Sequence, residues 1–274
     1  KDVIRLLNDV EGLVLGLQPF DKDVINSTNK LKFVAKFGTG LDNVDLEACK
    51  KKKINVINAP NLNSISVAEL VVSNAINLKR NINKNYAKMH KGIWEKIEGE
   101  EIYNKKVGII GLGAAGKEVA KRFFYFGSKI YANDLIFDEK IIKKYNIKKS
   151  TKLEILKKCD IITFHVPLTN KTNNLINKNN LKFLKKNSIL INTSRGPILN
   201  LKDLIKFKDK KNISIFLDVF EKEPFENKKF LSQKNSIFTP HIGGTTSESK
   251  VRIGLKNIND LITFFSKKSS NNQK

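Results

Sequence analysis

Arg195, Asp218, Glu223 and His241 stand just past apolar runs in the second half of the chain, in the segments INTSRGP, LDVFEKEP and TPHIGG. Ligands of open α/β sheets bind at the carboxyl ends of strands, so residues at such places can share one site. Only five of the 51 basic residues are arginines, and a position that keeps one can need the planar fork that grips a carboxylate through two parallel hydrogen bonds. Histidine works as base or acid near neutral pH, and a carboxylate beside it stabilises the imidazolium and orients the ring. These groups together fit oxidation of a secondary alcohol next to a carboxylate. His241 would take the hydroxyl proton as hydride leaves, Glu223 would hold the imidazolium, and Arg195 would grip the carboxylate and polarise the carbonyl. Plainer readings exist: a lone His after a strand can be structural, an Arg before Gly-Pro can pair on the surface, and Glu221 and Glu223 can be solvated loop charges. The order Arg, Glu, His at successive strand ends favours a shared site.

The departing hydride needs an acceptor. Gly111, Gly113 and Gly116 follow the strand-like KKVGII and open the helix-like KEVAKRFFYFG, the context in which GxGxxG reads as a dinucleotide fingerprint. The first glycine makes the tight turn, the second admits the pyrophosphate and the third lets helix and strand pack closely, with the helix N-terminus facing the phosphates. Asp134 ends the next strand-like run, SKIYAND, about 20 residues on. A carboxylate there accepts from the ribose hydroxyls and repels a 2′-phosphate, so NAD is favoured over NADP.

Those residues need a scaffold. EGLVLGL (11–17), KFVAK (32–36) and INVINA (54–59) read as strands, with helix-like spacing over 21–29 and 45–53. A longer amphipathic helix is expected from Ser66, over SVAELVVSNAINLKRNI. After the glycine turn, strands are expected in CDIITFHVP, SILINTS, ISIFLDVF and SIFTPHI, alternating with helices. That alternation implies a doubly wound parallel sheet. The last helix is expected over 248–265, followed by a disordered polar tail, SKKSSNNQK.

Composition narrows the class. The formal charge is +24, but the lysines are scattered in pairs without the interleaved aromatics of a single-strand groove, so no nucleic-acid partner is expected. No apolar run approaches the ~20 residues that span a bilayer, and a cytoplasmic protein is expected. Cys49 and Cys159 read as small buried thiols, and with His90, His165 and His241 they offer no metal-ligand spacing.

Several ordered motifs, FGTGLDNVDLEA, INVINAPNLNSISVAEL, VGIIGLGAAGKEVAKR, HVPLTNKT, INTSRGPILN, LDVFEKEP and TPHIGG, resemble those of the D-isomer-specific 2-hydroxyacid dehydrogenases, above all the phosphoglycerate branch. The resemblance implies a Rossmann NAD domain (78–244) inserted in a smaller flavodoxin-like α/β substrate domain (1–77 and 245–274), with reaction in the cleft and a homodimer through the NAD domain. It implies catalytic roles for Arg195, Glu223 and His241, and a contact from Asp218 to the nicotinamide side. It implies a cofactor pocket lined by Gly111, Gly113, Ala114, Ala115, Gly116, Asp134, His165, Val166, Pro167, Thr172, Thr193, Ser194, Gly243 and Gly244. The Gly38, Thr39 and Gly40 loop would offer N–H groups to the substrate carboxylate. Glu223 stands where the similar formate dehydrogenases carry an amide.

Departures shape the expected substrate. Ala114 and Ala115 replace a frequent Arg-Ile, so pyrophosphate would rest on backbone. Gln18 stands where many phosphoglycerate enzymes carry Arg, and Lys36 takes the place of another Arg and is expected as a phosphate anchor. 3-Phosphoglycerate, in serine biosynthesis, is the leading substrate; a glyoxylate or hydroxypyruvate reductase and a non-enzymatic NAD-sensing module are the alternatives. The family's first strand and helix are expected to be absent before Lys1, and no regulatory module is expected after the last helix.

Overall fold

The computed structural model describes residues 6–271, with side chains through residue 266. It divides into two compact units, Lys1–Asn63 with Gly244–Lys274, and Ser64–Gly243.

The first unit contains β1 (Gly12–Leu15), α1 (Lys22–Ser27), β2 (Phe33–Lys36), α2 (Leu46–Lys51) and β3 (Asn55–Ile57). The strands are parallel in the order β1-β2-β3. Central β2 is buried along its whole length, which is why its sequence runs apolar without alternating. Both short helices begin on an aspartate: Asp21 accepts from the N–H groups of Asp23 and Val24, and Asp45 from that of Ala48 at 2.9 Å. Each such cap contributes about 1 kcal/mol. Phe20, Ile25, Val34, Cys49 and Ile54 fill the core, and burial pushes the Cys49 thiol up to about 11.

The second unit starts with α3 (Ser64–Arg80) and α4 (Ile82–Met89). It continues through β4 (Lys106–Ile110), α5 (Ala114–Tyr125), β5 (Lys129–Asn133), α6 (Glu139–Lys144), β6 (Lys148–Lys149), α7 (Lys152–Lys158) and β7 (Ile161–Phe164). Then come α8 (Lys178–Leu181), β8 (Ile189–Asn192), a 3₁₀ turn (Gly196–Ile198), α9 (Leu201–Lys208), β9 (Ser214–Leu217), α10 (Lys228–Leu231) and β10 (Ser236–Phe238). Its seven strands are all parallel in the order β10-β9-β8-β7-β4-β5-β6. The winding reverses between β4 and β7, so the crevice at their carboxyl ends is the switch point at which doubly wound sheets bind ligands. β7 and β8 are buried throughout, and Ile109, Phe123, Ile161, Ile191 and Phe216 belong to one core.

The expected boundary at residue 77 is corrected to Asn63. Val67, Ala68, Val71, Val72 and Ala75 of α3 share their core with Val119, Ala120 and Phe123 of α5, so the whole helix belongs with the sheet that follows it. Gly244 moves the other way, into the first unit.

The chain returns to the first unit through α11 (Ser247–Asn271), whose Leu261 and Phe265 pack over Gly12. Helical backbone therefore runs past Phe265 into the segment expected to be disordered, which contains no Gly or Pro to stop it. Residues 272–274 of that tail lie outside the described residues. Among the described residues no helix is long and apolar enough to cross a membrane.

Candidate active site

The glycine turn follows β4 directly. Gly111 has φ +96°, and a Cβ there would lie 2.5 Å from the His165 carbonyl oxygen. A Cβ on Gly116 would clash with the Gly111 carbonyl, so this glycine lets α5 pack on the turn. Gly113 differs: nothing lies within 4 Å of its missing Cβ. The protein itself requires the first and third glycines, whereas the second keeps open a space at the start of α5. Gly113 is the N-cap and gives no side-chain cap, so the first N–H groups of a 12-residue helix face that space with its positive dipole end. Ala114 and Ala115 begin the helix, and Ala115 packs inward on the core, so its side chain is not turned to a phosphate.

Asp134, just past β5 and expected at the ribose, holds this turn. Its carboxylate accepts from the Leu112 N–H, and from those of Leu135 at 2.6 Å and Ile136 at 3.2 Å. Leu135 and Ile136 beside it are 98% and 83% exposed.

His165 and Val166 close the crevice on the β7 side, where Val166 and the His165 carbonyl lie against Gly111. The His165 N–H donates to the Ile110 carbonyl at 2.7 Å, and its ring shares a 2.9 Å hydrogen bond with the Thr163 hydroxyl. Burial pulls the imidazole down to about 4, so it is neutral at physiological pH. Thr172 donates to the Pro167 carbonyl at 2.6 Å and accepts from the Thr169 N–H at 2.8 Å, and so shapes its own loop. At the end of β8 the buried Thr193 hydroxyl finds no partner among the described residues. An open glycine cradle, a helix N-terminus, a ribose-side carboxylate and this orphaned hydroxyl are a donor and acceptor set that fits NAD.

The reactive groups stand on the next three loops. Arg195 is in extended backbone between β8 and the 3₁₀ turn, and its Nη1 donates to the Ser194 carbonyl at 2.6 Å. A Cβ on Gly196 would overlap the Phe220 carbonyl, so the Arg195 turn and the loop after β9 meet backbone to backbone. In that loop Glu223 accepts from the Phe220 N–H at 2.9 Å through Oε1, while Oε2 lies 2.8 Å from His241 Nδ1. Both side chains are 33% exposed, which leaves the pair screened but reachable. The Nδ1–H donates to the carboxylate, so the imidazole's other nitrogen is available for proton transfer.

Asp218 is nearly fully buried and wraps the histidine loop around itself. Oδ1 accepts from the Thr239 hydroxyl at 2.5 Å and the Ile242 N–H at 2.8 Å, and Oδ2 from the Gly243 N–H at 2.7 Å. A Cβ on Gly243 would lie 2.9 Å from Oδ2. These bonds hold His241 at φ +56°, a left-handed conformation that needs such support in a residue with a Cβ. Burial raises the Asp218 pKa, while the three hydrogen bonds and nearby His241 oppose the rise. The three bonds use most but not all of the acceptor capacity of the Asp218 carboxylate, for which the resemblance implies a nicotinamide contact.

Thr239, Asn192 and the Phe220 N–H were missed as site groups. The register pairs Phe238 with Leu217, so Thr239 follows opposite Asp218, a signal available only once β9 and β10 are known to pair. In the first unit Gly38 has φ +142°, its N–H donates to the Lys36 carbonyl at 2.9 Å, and Thr39 accepts from the Asn58 side chain at 2.7 Å. Gly244 lies beside Asn63 there. Lys36 departs from the expected anchor: it is 3% exposed, and its ammonium donates to the Gly16 carbonyl because β2 is buried on both faces.

A family model described as "D-isomer specific 2-hydroxyacid dehydrogenase, NAD binding domain" matches residues 72–243. D-3-phosphoglycerate dehydrogenase of Methanocaldococcus jannaschii is 38% identical over 93% of this chain and 49% of its own length, so the chain spans about half of that relative. Hydroxypyruvate reductase of Thermotoga maritima is 35% identical over 93% of this chain and 85% of its own. The structure of D-lactate dehydrogenase from Aquifex aeolicus, complexed with NAD and lactic acid, superposes with a TM-score of 0.87 at 25% identity, over 96% of this chain and 85% of that one. With the seven-stranded parallel sheet, its glycine turn and these matches, the chain belongs to the D-isomer-specific 2-hydroxyacid dehydrogenase family.

Proposed function

We propose that the protein transfers a hydride between NAD(H) and C2 of a small D-2-hydroxy acid. The observation that carries this reading is the 2.8 Å His241–Glu223 pair on the loop pinned by Asp218, on the sheet that presents the glycine cradle. Bound NAD(H) would supply or accept the hydride. His241 takes the hydroxyl proton in oxidation and returns it in reduction, through the ring nitrogen that does not face Glu223. Glu223 stabilises the imidazolium formed on the way and is itself steadied by the Phe220 N–H. Arg195 meets the substrate carboxylate with its fork and draws electron density from the carbonyl as charge develops there. Lys36, Gly38, Thr39 and Gly40 belong to the first unit, and this mechanism rests on the second unit alone.

3-Phosphoglycerate is the first substrate to test, in line with the Methanocaldococcus relative. The buried Lys36 ammonium favours a second reading, reduction of a small keto acid such as hydroxypyruvate or glyoxylate, which needs no phosphate anchor. NADH fluorescence on the purified protein separates them. Turnover requiring 3-phosphoglycerate and NAD supports the first, turnover only with keto acids and NADH supports the second, and NADH binding without turnover on any of them sinks the catalytic reading.

The protein is further proposed to form a homodimer through the NAD-binding unit. Tyr86 and Met89 of α4 are more than half exposed and Trp94 is 80% exposed, side-chain types that are enriched at protein interfaces. Sedimentation should give a dimer for the wild type and a monomer for Trp94→Glu.

A further inference from the structure

Asn192 is the last residue of β8 and is buried, yet both ends of its side chain are used by the turn that follows. Oδ1 accepts from the Ser194 N–H at 3.1 Å and the Ser194 hydroxyl at 2.7 Å, and Nδ2 donates to the Arg195 carbonyl at 2.8 Å. The Ser194 carbonyl in turn accepts from the Arg195 guanidinium at 2.6 Å. One amide therefore fixes the peptide groups on either side of the Ser194–Arg195 link and, through Ser194, the group on which the guanidinium rests. The Asn192 main-chain carbonyl accepts the Asp218 N–H at 3.0 Å, which ties the same residue to the strand end leading into the Glu223 loop. From the other side, Phe220 closes over Gly196. An arginine side chain has many rotamers, and a bidentate contact forms only if its backbone anchor is fixed to within a fraction of an ångström.

We propose that Asn192 is a positioning residue that sets where the Arg195 fork meets the substrate carboxylate. The proposal rests on the function proposed above, in which Arg195 grips that carboxylate. It assigns to Asn192 a much larger effect on substrate than on cofactor: its bonds end on Ser194 and on the Arg195 carbonyl, which hold the guanidinium, and none reaches the glycine turn or Asp134.

A double-mutant cycle on the full chain tests this, using 3-phosphoglycerate with NAD or hydroxypyruvate with NADH, whichever the wild type turns over faster. Asn192→Ala should raise the substrate KM by about tenfold or more and leave the NADH Kd within about twofold. In the Arg195→Lys background, where the bidentate fork is already lost, the same change should cost less than about threefold. Asn192→Asp keeps the acceptor contacts to Ser194 but loses the donor to the Arg195 carbonyl, and should raise KM in the same direction. A folded Asn192→Ala protein with wild-type KM overturns the proposal. So does an equal loss in both backgrounds, a matching loss of NADH affinity, or failure of both Asn192 variants to fold, each of which marks a structural role. Failure of the parent reading looks different: the wild type turns over neither substrate, or Arg195→Lys alone has no effect.

Discussion

At the amino end of the seven-stranded sheet, Asn187, Asn212 and Asn235 lead into β8, β9 and β10 in the left-handed region, at φ +63°, +50° and +54°. Their amides bond to one another, Asn212 to Asn187 at 2.9 Å and Asn235 to Asn212 at 3.2 Å. A polar groove of about 380 Å³ lies there, with Lys79, Glu100, Asn187 and Asn212 among its lining, and Lys79 pairs with Glu100 across it at 3.3 Å. At the carboxyl end of the same strands the polar groups divide into two kinds. Asp218, Asn192 and Glu223 Oε1 are bound by their own loops, while the Arg195 and His241 side chains stay partly exposed and the buried Thr193 hydroxyl has no partner among the described residues. An asparagine ladder bonded to itself stabilises turns; reactive groups held from behind by buried partners can do chemistry. The two ends of one sheet should therefore respond to substitution in opposite ways.

The largest expected effect is at His241. His241→Ala removes the only proposed proton acceptor and should lower kcat by about 10³-fold, within the range for general acid–base groups. NADH affinity and melting temperature should stay near wild type, because the loop is held by Asp218 and not by the imidazole. Steady-state rates with a parallel NADH titration check this, and unchanged turnover would remove His241 from the mechanism. Glu223→Gln should cost less, about 10²-fold, since the ring keeps an acceptor but loses the charge that stabilises its cation.

The glycines sharpen the contrast within the carboxyl end itself. Gly111→Ala drives a Cβ to 2.5 Å from a carbonyl oxygen at positive φ, and should destabilise the fold by about 3 kcal/mol or more. Gly113→Ala enters open space, so the melting temperature should hold while NADH binding weakens by about tenfold. Thermal melts with and without NADH distinguish a glycine required by the chain from one required by the ligand. If Gly113→Ala binds NADH as the wild type does, the open space at α5 is not the phosphate site.

Much of this was readable in the sequence because buried parallel strands announce themselves as short apolar runs, and because chemistry at their carboxyl ends follows directly in the chain. Arg195, Glu223 and His241 each came from that rule. The α3 helix was visible too, but its apolar stripe says which face is buried and not which core receives it; hence the misplaced boundary. The resemblance made Lys36 a phosphate anchor; it ends β2, a strand buried along its whole length, and its ammonium donates to the Gly16 carbonyl, a partner that spacing along the chain does not reveal. Asn192 and Thr239 escaped because amide and hydroxyl partners depend on loop pairing across strands, which spacing along the chain does not encode.

The pH dependence of stability tests the neutral imidazole at the switch point. Burial takes His165 from 6.5 down to about 4, so the folded state binds that proton more weakly than the unfolded chain does. Its contribution is complete above pH 6.5, is lost as pH falls toward about 4, and changes no further below. The loss is at most about 3 kcal/mol. Urea midpoints at about pH 7 and about pH 4.5 should fall further for the wild type than for His165→Gln, which has no proton to gain. Equal slopes would mean that the ring is solvated enough to charge in place.

The smallest effect is expected at the amino end, and it is the one that separates the two regions most cleanly. Asn212→Ala deletes the middle of the asparagine ladder, removing two side-chain bonds and placing an alanine at φ +50°. The cost should be about 1–2 kcal/mol of stability, from lost hydrogen bonds and the left-handed penalty of an ordinary side chain. Asn212→Gly loses the same bonds but relieves the backbone, so it should be less destabilising than the alanine variant. Neither should alter kcat or the NADH Kd, because β8 and the Ile215–Leu217 stretch of β9, both buried, separate the ladder from the carboxyl end. Should Asn212→Ala lower kcat with its stability loss compensated by lower temperature, the two ends would be coupled, and the sheet would be transmitting strain from its stabilising end to its reactive one.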